Sequence, residues 1–359
     1  MKPTIVIGLT PQGLSVLRVL SQSGKTVFAL YNSKKNIGVK SKYGIKIQFR
    51  DSKELKRKIE EITSKYKVKL LCYITSGEML AMILREYKEL YEICDVISGP
   101  FETIEKLAHK DIMYQIAIER GFKVAKHFTL DKFSDGDLSY PIFMKRNYEI
   151  PLFFKAAKIE DENEFNVYMS QIKEEEKKDI LVQEFINIPR KQLMEITAQA
   201  FFSQGEMKGV FIANQERRLN KGLTSYIEEI TDEKIVSLIS KLVHDFMQDL
   251  KYTGFAEFEF MYNIGNEELY FVEVNTRTCG LQSSLAYKWS NIAEAVINPY
   301  NAPMLVTRNN KPLRWMNITR DIRVRLQKRD LSNILDIVRS KYDILMLKDI
   351  KPFISQFLW

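Results

Sequence analysis

Residues 4 to 100 alternate strand signals with helix signals, and that alternation limits the folds open to this chain more than any other feature. Thr4-Ile5-Val6-Ile7 is a short apolar strand running into Gly8 and a turn through Pro11 and Gly13. Residues 14–23 carry apolar side chains at helical spacing, and Gly24 closes them off before a strand at 26–31. A charged amphipathic helix is expected at 53–66, a buried strand at 69–74 and another helix at 79–91. A parallel pair of strands needs a crossover, usually a helix, so this order implies an α/β fold with a parallel sheet covered on both faces. At 359 residues the chain is long enough to build more than one core.

Gly8 to Gly13 could cradle phosphates at a helix N-terminus, as glycine-rich turns do. The spacing is Gly-x-x-x-x-Gly, with neither the Gly-x-Gly pair of a dinucleotide fold nor the Lys-Ser/Thr of a P-loop. The next strand ends Phe28-Ala29-Leu30-Tyr31-Asn32, without a carboxylate for a ribose. A tight strand-to-helix turn is therefore the expectation.

The formal charge of +8, from 54 basic and 46 acidic residues, suits anionic partners such as nucleotides. The basic residues are dispersed through most of the chain, with no zinc-finger spacing or aromatic-basic sheet motif, so nucleic acid is not expected. Cys72, Cys94 and Cys279 are too few and too widely spaced for a disulfide framework. They fit a reducing cytoplasm. Neither a signal peptide nor a run of about 20 apolar residues is found, and a cytoplasmic protein is expected.

Beyond residue 100 the pattern changes. A helical stretch is expected at 103–121, a hairpin at 138–157 with its first strand at 141–145, and mostly helix at 155–178. A strand follows at 180–186, where Leu181-Val182-Gln183-Glu184-Phe185-Ile186 is apolar with two polar positions. Antiparallel strands are expected at 193–209 and 209–214, and a long amphipathic helix at 232–250.

The most informative segment is a pair of strands, Gly254 to Tyr262 and Glu268 to Asn275, joined by the polar insert Asn263 to Glu268. Side chains alternate faces along a strand, so Glu257, Glu259 and Met261 share one face and Phe258 and Phe260 the other. Phe271, Glu273 and Asn275 likewise share a face. Pairing as a hairpin can set Glu259 opposite Glu273, with Asn275 one step on. Two such carboxylates repel, and burying them costs several kcal/mol unless a cation lies between them. Two carboxylates and an amide are an all-oxygen set that Mg²⁺ accepts, with phosphate oxygens completing its shell. Arg277, just beyond, offers a planar fork of donors for a phosphate or an oxyanion. The plain alternative is a solvent-facing strand, which the flanking apolar residues and the Asn-x-Arg after the second Glu argue against.

Phe258-Glu259-Phe260 followed by Glu273-Val274-Asn275-Thr276-Arg277 resembles the metal-binding signature of the ATP-grasp superfamily, in the form seen in biotin carboxylase and carbamoyl phosphate synthetase. The resemblance implies an ATP-grasp fold with residues 1–102 as a parallel-sheet pre-ATP-grasp domain. It further implies a linker helix and small lid subdomain at 103–190, a catalytic subdomain at 191–300 and an extension at 301–359. It assigns Glu259, Glu273 and Asn275 to Mg²⁺, with Mn²⁺ as an alternative, and Arg277 to the acyl phosphate. Lys110 and Lys145 match the family's two phosphate-binding lysines. The strand around Gln183 matches the adenine hinge, where backbone groups of Glu184 and Ile186 and the Gln183 side chain would meet the base. Glu195 lies near where a ribose-binding carboxylate would fall.

Two departures stand out. The loop after Lys145, Arg146-Asn147-Tyr148-Glu149-Ile150-Pro151, lacks the family's usual glycines, leaving Arg146 or Asn147 to cover the phosphates. Glu257 is an extra carboxylate without an assigned role.

ATP-grasp enzymes activate a carboxylate as an acyl phosphate and let a nucleophile attack it, so the resemblance implies an ATP-dependent carboxylate–amine ligase. The acid would be an amino acid, a sugar acid or a cell-envelope precursor. A bicarbonate-activating carboxylase and a nucleotide-binding regulatory module are the alternatives. His109, His127 and His244 do not cluster and read as structural or exposed. Gln215-Glu216-Arg217-Arg218 with Lys221-Gly222-Leu223-Thr224-Ser225 is similar to a turn of the branch containing D-aspartate ligase. It makes Arg218 a candidate for substrate or γ-phosphate contact, with a surface turn as the alternative.

At the C-terminal end Arg320, Arg323 and Arg325 interleave with Ile322, Val324 and Leu326. That reads as an extended segment over 315–329, with a helix at 331–340. The apolar end 350–359 is expected to pack on the body, with contact to a membrane surface or lipid-linked substrate as a second expectation. Small-molecule substrates and a homodimer complete the expected partners.

Overall fold

The computed structural model describes residues 2–134, 136–148, 154, 156–219, 222–329 and 334–357. They form two compact units. The first comprises Met1–Phe101, Glu195–Glu257 and Asn275–Trp359; the second comprises Glu102–Met194 and Phe258–Val274.

The N-terminal part of the first unit is a five-stranded sheet: β1 (Thr4–Ile7), β2 (Val27–Tyr31), β3 (Ile45–Gln48), β4 (Leu70–Ile74) and β5 (Cys94–Val96), in the order β3-β2-β1-β4-β5. Every pairing is parallel, with Thr4 beside both Val27 and Leu71. All four residues of β1 are buried, as expected of a central strand covered on both faces. The chain leaves β1 in one direction and β4 in the other, a switch point whose crevice lies at the carboxyl ends of these strands. There Gly8 adopts φ +95°, and a Cβ on Gly13 would fall 2.0 Å from the Gly8 carbonyl oxygen. The tight turn thus fills its own concavity with backbone. The stretch expected as one helix at 79–91 is two, Gly77–Glu86 and Leu90–Ile93, parted at the fully buried Tyr87.

The second unit holds a four-stranded sheet of β6 (His127–Thr129), β7 (Ile142–Arg146), β8 (Ala156–Ile159) and β9 (Ile180–Glu184), in the order β6-β9-β7-β8. All its pairings are antiparallel. Its core is Leu130, Ile142, Met144, Ile159, Phe165 and Val182 with their neighbours. Residues 156–178 are not mostly helix: β8 comes first, then a helix at Glu162–Met169 capped by Asp161, then a 3₁₀ turn at Glu174–Asp179. Ala156 and Ala157 pair with Lys145 and Met144, so the hairpin claims residues that helical spacing had suggested for the helix.

A seven-stranded sheet follows: β10 (Leu193–Ser203), β11 (Glu206–Leu219), β12 (Leu223–Glu229), β13 (Gly254–Asn263), β14 (Glu268–Asn275), β15 (Arg314–Met316) and β16 (Lys341–Tyr342). Its order is β14-β13-β10-β11-β12-β15-β16. The core of the first unit joins Val6 and Leu17 to Phe201, Phe255, Leu285 and Trp315.

Residues 318–328 form a helix, not the expected extended segment. Asn317 caps its first turn by accepting from the Arg320 amide at 3.1 Å, and Asp321 bonds Arg325 one turn on at 2.7 Å. Asp321, Val324 and Arg325 face inward at helical spacing, while Ile322 and Leu326, which suggested alternation, are exposed. The expected helix at 331–340 is Leu335–Arg339, and residues 331–333 lie outside the described residues. At the C-terminal end Pro352 and Ser355 are buried and Ile354 and Phe357 exposed, with 358–359 outside the described residues.

Candidate active site

In the second unit the helix Lys110–Glu119 carries Lys110, β7 carries Lys145, and the outer parts of β13 and β14 carry Glu259 and Glu273. From Phe258 onward β13 alternates as a half-buried strand should, with Phe258, Phe260 and Tyr262 buried and Glu259 and Met261 on the more open face. Lys110 Nζ lies 3.5 Å from Glu273 Oε2. Lys145 is buried with no carboxylate at ion-pair distance among the described residues; its Nζ donates to the Tyr114 hydroxyl. Burial, followed by the repulsion of Lys110, lowers the Lys145 ammonium to about 7 against the opposing pull of Glu273 and Glu259. The Tyr114 hydroxyl in turn donates to the Val272 carbonyl at 2.7 Å, and burial and the Glu273 charge push its pKa up. Tyr114 escaped the sequence reading, although its position four residues after Lys110 puts both on one helix face.

The helix expected at 103–121 is broken at His109, so Lys110 opens a second helix. His109 gives that helix no side-chain cap. Asn147 supplies it from outside: its carbonyl oxygen accepts from the Lys110 amide at 3.0 Å and its Oδ1 from the Asp111 amide at 2.9 Å. Arg146 Nε donates to the Phe154 carbonyl at 2.9 Å. Both residues weighed as phosphate-covering groups therefore hold local structure. Glu149, Ile150 and Pro151 of the same loop lie outside the described residues.

On β9, Gln183 is buried, and its Oε1 has no hydrogen-bond donor among the described residues. The Glu184 amide is taken by the Lys126 carbonyl at 2.8 Å, and Ile186 follows just past the end of the strand. An orphaned buried oxygen is costly, and a ligand amine would satisfy it.

The first unit carries the remaining candidates. Glu257 is buried, accepting from Thr197 Oγ1 at 2.9 Å and from Asn275 Nδ2 at 3.4 Å. Asn275 Oδ1 accepts from Arg277 Nη2 at 2.9 Å. Glu257 thereby fixes which way the amide of Asn275 points, and Asn275 steadies Arg277. Arg277 reaches the switch point of the parallel sheet: its Nε lies 3.2 Å from where a Cβ on Gly77 would be, and Thr278 Oγ1 donates to the Thr75 carbonyl at 3.1 Å. Thr75-Ser76-Gly77 gave no signal in the sequence, because what matters there is the absent side chain of Gly77. Arg218 stands apart from this chain of contacts. It pairs with Glu195 at 2.9 Å and donates to Gln215 Oε1 at 3.1 Å, so the proposed ribose carboxylate and the proposed substrate arginine bind each other. Lys221 of the same turn lies outside the described residues. Cys279 is buried, and burial followed by the Glu257 charge raises its thiol well out of the reactive range.

Among the described residues no group of three His, Cys, Asp or Glu is placed to hold a metal. Mg²⁺ asks for less, since one or two carboxylates with waters and phosphates are enough. Glu259 and Glu273, both in the second unit, are a pair of that kind. No helix among the described residues is long and apolar enough to cross a membrane.

A parallel 3-2-1-4-5 sheet, a small antiparallel sheet and a large sheet ending in a carboxylate hairpin together define the ATP-grasp fold. Solved structures agree. An N5-carboxyaminoimidazole ribonucleotide synthetase in complex with ADP superposes with a TM-score of 0.72 at 14% identity, covering 92% of this chain and 85% of that one. Biotin carboxylase from Campylobacter jejuni gives 0.65 at 17% identity over 86% and 73%. An L-amino acid ligase from Bacillus licheniformis gives 0.63 at 16% over 86% and 75%. By sequence, no family model and no curated protein matches the chain.

Proposed function

We propose that this chain is an ATP-dependent carboxylate–amine ligase forming an amide bond through an acyl phosphate. The observation that carries the reading is the gathering of Lys110, Lys145, Glu259 and Glu273 in the second unit, with Lys145 buried and unmatched by any carboxylate at ion-pair distance among the described residues. An amine held near 7 regains its full charge beside a phosphate, so the cluster is built to be completed by an anion. The orphaned Gln183 oxygen suits an exocyclic amine of a base, with backbone groups of Glu184 and Ile186 alongside it.

In the reaction a substrate carboxylate oxygen attacks the γ-phosphorus and ADP departs. An amine then attacks the acyl carbon, losing a proton as phosphate leaves. Lys110 and Lys145 hold phosphate oxygens in line, and Arg277 meets the acyl phosphate with two parallel donors. Mg²⁺ (or Mn²⁺), held by Glu259, Glu273 and Asn275, would draw charge from the phosphoryl oxygens. Arg218, paired with Glu195, would reach substrate only by exchanging that partner.

The acid is an amino acid, sugar acid or cell-envelope precursor in this reading. Bicarbonate is the second candidate: a fold neighbour, the biotin carboxylase domain of a 2-oxoglutarate carboxylase from Hydrogenobacter thermophilus, is described with Mg-ADP and bicarbonate. That domain is also a dimer, and a homodimer is proposed here by analogy. The three free, buried cysteines suit a reducing cytoplasm. Exposed Leu347, Ile354 and Phe357 beside Lys348 and Lys351 keep a lipid-linked substrate in view.

Release of ADP and phosphate, measured against a panel of carboxylates and amines with and without bicarbonate, tests the reading. Turnover that needs an amine is expected. Dependence on bicarbonate alone would transfer the chain to the carboxylases, and no release under any condition would make it a regulatory module.

A further inference from the structure

A cavity of about 600 Å³ lies wholly within the first unit. One wall is the outer face of the helix Pro11–Gln22, another is the helix Ser283–Lys288, and the rest comes from residues 308–314 and 339–346. None of the candidate ATP-grasp residues lines it. Its volume falls in the range of small-molecule sites.

Its charge is one-sided. Seven basic side chains line it against a single acid, Asp343, which is buried and already accepts from Ser283 Oγ at 2.7 Å and Asn317 Nδ2 at 2.9 Å. Three of the seven are matched: Arg18 by Asp349 at 3.0 Å, Lys288 by Glu229 and Arg314 by Glu228 at 3.4 Å. The other four, Arg308, Lys311, Arg339 and Lys341, are exposed and have no acidic partner among the described residues. A concave surface with low-dielectric walls focuses the field of such a ring and concentrates anions in its mouth. The lining also carries the apolar side chains of Leu14, Val19, Ala286 and Leu313. Two of the four unmatched bases are arginines, whose forks bind phosphate or carboxylate through paired donors.

We infer that this cavity is a second ligand site, for an organic anion that sets a phosphate or carboxylate among Arg308, Lys311, Arg339 and Lys341 and an apolar body on Leu14, Val19 and Leu313. The site has a path to the chemistry within the same unit. The helix Ser283–Lys288 begins six residues after Arg277, and Ser283 is bonded to Asp343 and to Trp315 Nε1 at 2.8 Å. A ligand seated on this helix therefore bears on the segment that holds Arg277.

The probe is 1-naphthyl phosphate, titrated calorimetrically into the full chain, with uncharged 1-naphthol as its partner. Naphthyl phosphate should bind at least roughly tenfold tighter than naphthol, a difference of one decade in Kd. The paired substitution Arg339→Glu with Lys341→Glu should weaken it by at least roughly tenfold again. Both positions are exposed, so an unchanged thermal midpoint shows that the variant folds. A second variant, Lys110→Ala with Lys145→Met, should bind the probe as the wild type does, which separates this site from the nucleotide site. Equal binding by the rim variant, or loss confined to the lysine variant, overturns the inference. So does a dimer in sedimentation that the rim variant dissociates while the probe binds neither form.

Discussion

Two clusters in this molecule each combine two cationic and two anionic side chains, and they are built on opposite plans. In the first unit Arg217 and Arg325 grip Asp321 and Asp336. Arg217 reaches the two aspartates at 2.7 and 2.9 Å, and Arg325 reaches them at 2.7 and 3.4 Å. Ser225 adds a further donor to Asp321 at 3.0 Å, and the Arg217 guanidinium lies 3.9 Å from the centre of the Tyr226 ring. Both aspartates and Arg325 are buried, and the charges are paired fork against fork. In the second unit Lys110 meets Glu273 only at 3.5 Å and partly exposed, while Lys145 leans on a neutral hydroxyl. The first cluster is finished without help. Among the described residues the second offers Lys145 no carboxylate at ion-pair distance, and this difference separates an ionic clasp from the cluster proposed to take up an anion.

The largest effect should come from opening the clasp. Asp321→Ala takes from two guanidinium groups one of the two carboxylates they share and should lower unfolding free energy by about 3–5 kcal/mol in denaturant titration. Glu273→Ala removes the matching member of the open cluster, yet its partly exposed pair is worth at most about 1 kcal/mol. What it should abolish is Mg²⁺-dependent protection by ATP against unfolding. Full protection in that variant would erase the contrast between the clusters.

The next effect is on pH. Lysine titrates near about 10.4 when unfolded, and Lys145 near 7 when folded. Between those values the unfolded chain binds a proton that the folded chain does not, so this group makes stability rise with pH across the window. Below about 7 both states are charged, and the cost of the buried ammonium applies in full. The wild type should gain up to about 1.4 kcal/mol per pH unit relative to Lys145→Met, read as the difference between the two curves. Parallel curves would show that Lys145 is not held neutral.

The same shift sharpens the comparison from the ligand side. At pH 8 the free protein holds Lys145 mostly neutral, and a phosphate beside it restores the charge. ATP binding should therefore take up close to one proton, measured calorimetrically in buffers of differing ionisation enthalpy, and Lys145→Met should take up none. The smallest effect belongs to Tyr114→Phe, which removes the hydroxyl between Lys145 and the Val272 carbonyl. A loss of about 1 kcal/mol is expected, measured by urea titration.

Much of this was legible in the sequence for local reasons. The parallel sheet announced itself because strands buried on both faces read as unbroken apolar runs, as Thr4–Ile7 and Leu70–Ile74 do. The face of Glu259 followed from a period of two. The helix Ile318–Lys328 was not legible, because its apolar residues alternate with arginines and two of them are exposed, while what holds it is a cap and a one-turn ion pair. Nor could the sequence place Asn147 on the helix of Lys110, Glu257 beside Asn275, or Arg218 against Glu195. Those contacts join residues from 18 to 37 positions apart, and polar side chains carry no periodic mark of whom they will meet.

Asn147 ends the helix of Lys110 and sits two residues past Lys145 on the same run of chain. Through its carbonyl oxygen and its amide side chain this one residue ties the two lysines to a common frame, as the jaws of a gauge. On the proposed reading of the two lysines, such a gauge would measure the distance between a ligand's negative groups as well as their number. Two ligands of equal charge but different span are then unequal to it, and a single residue bearing no charge of its own sets the span it accepts.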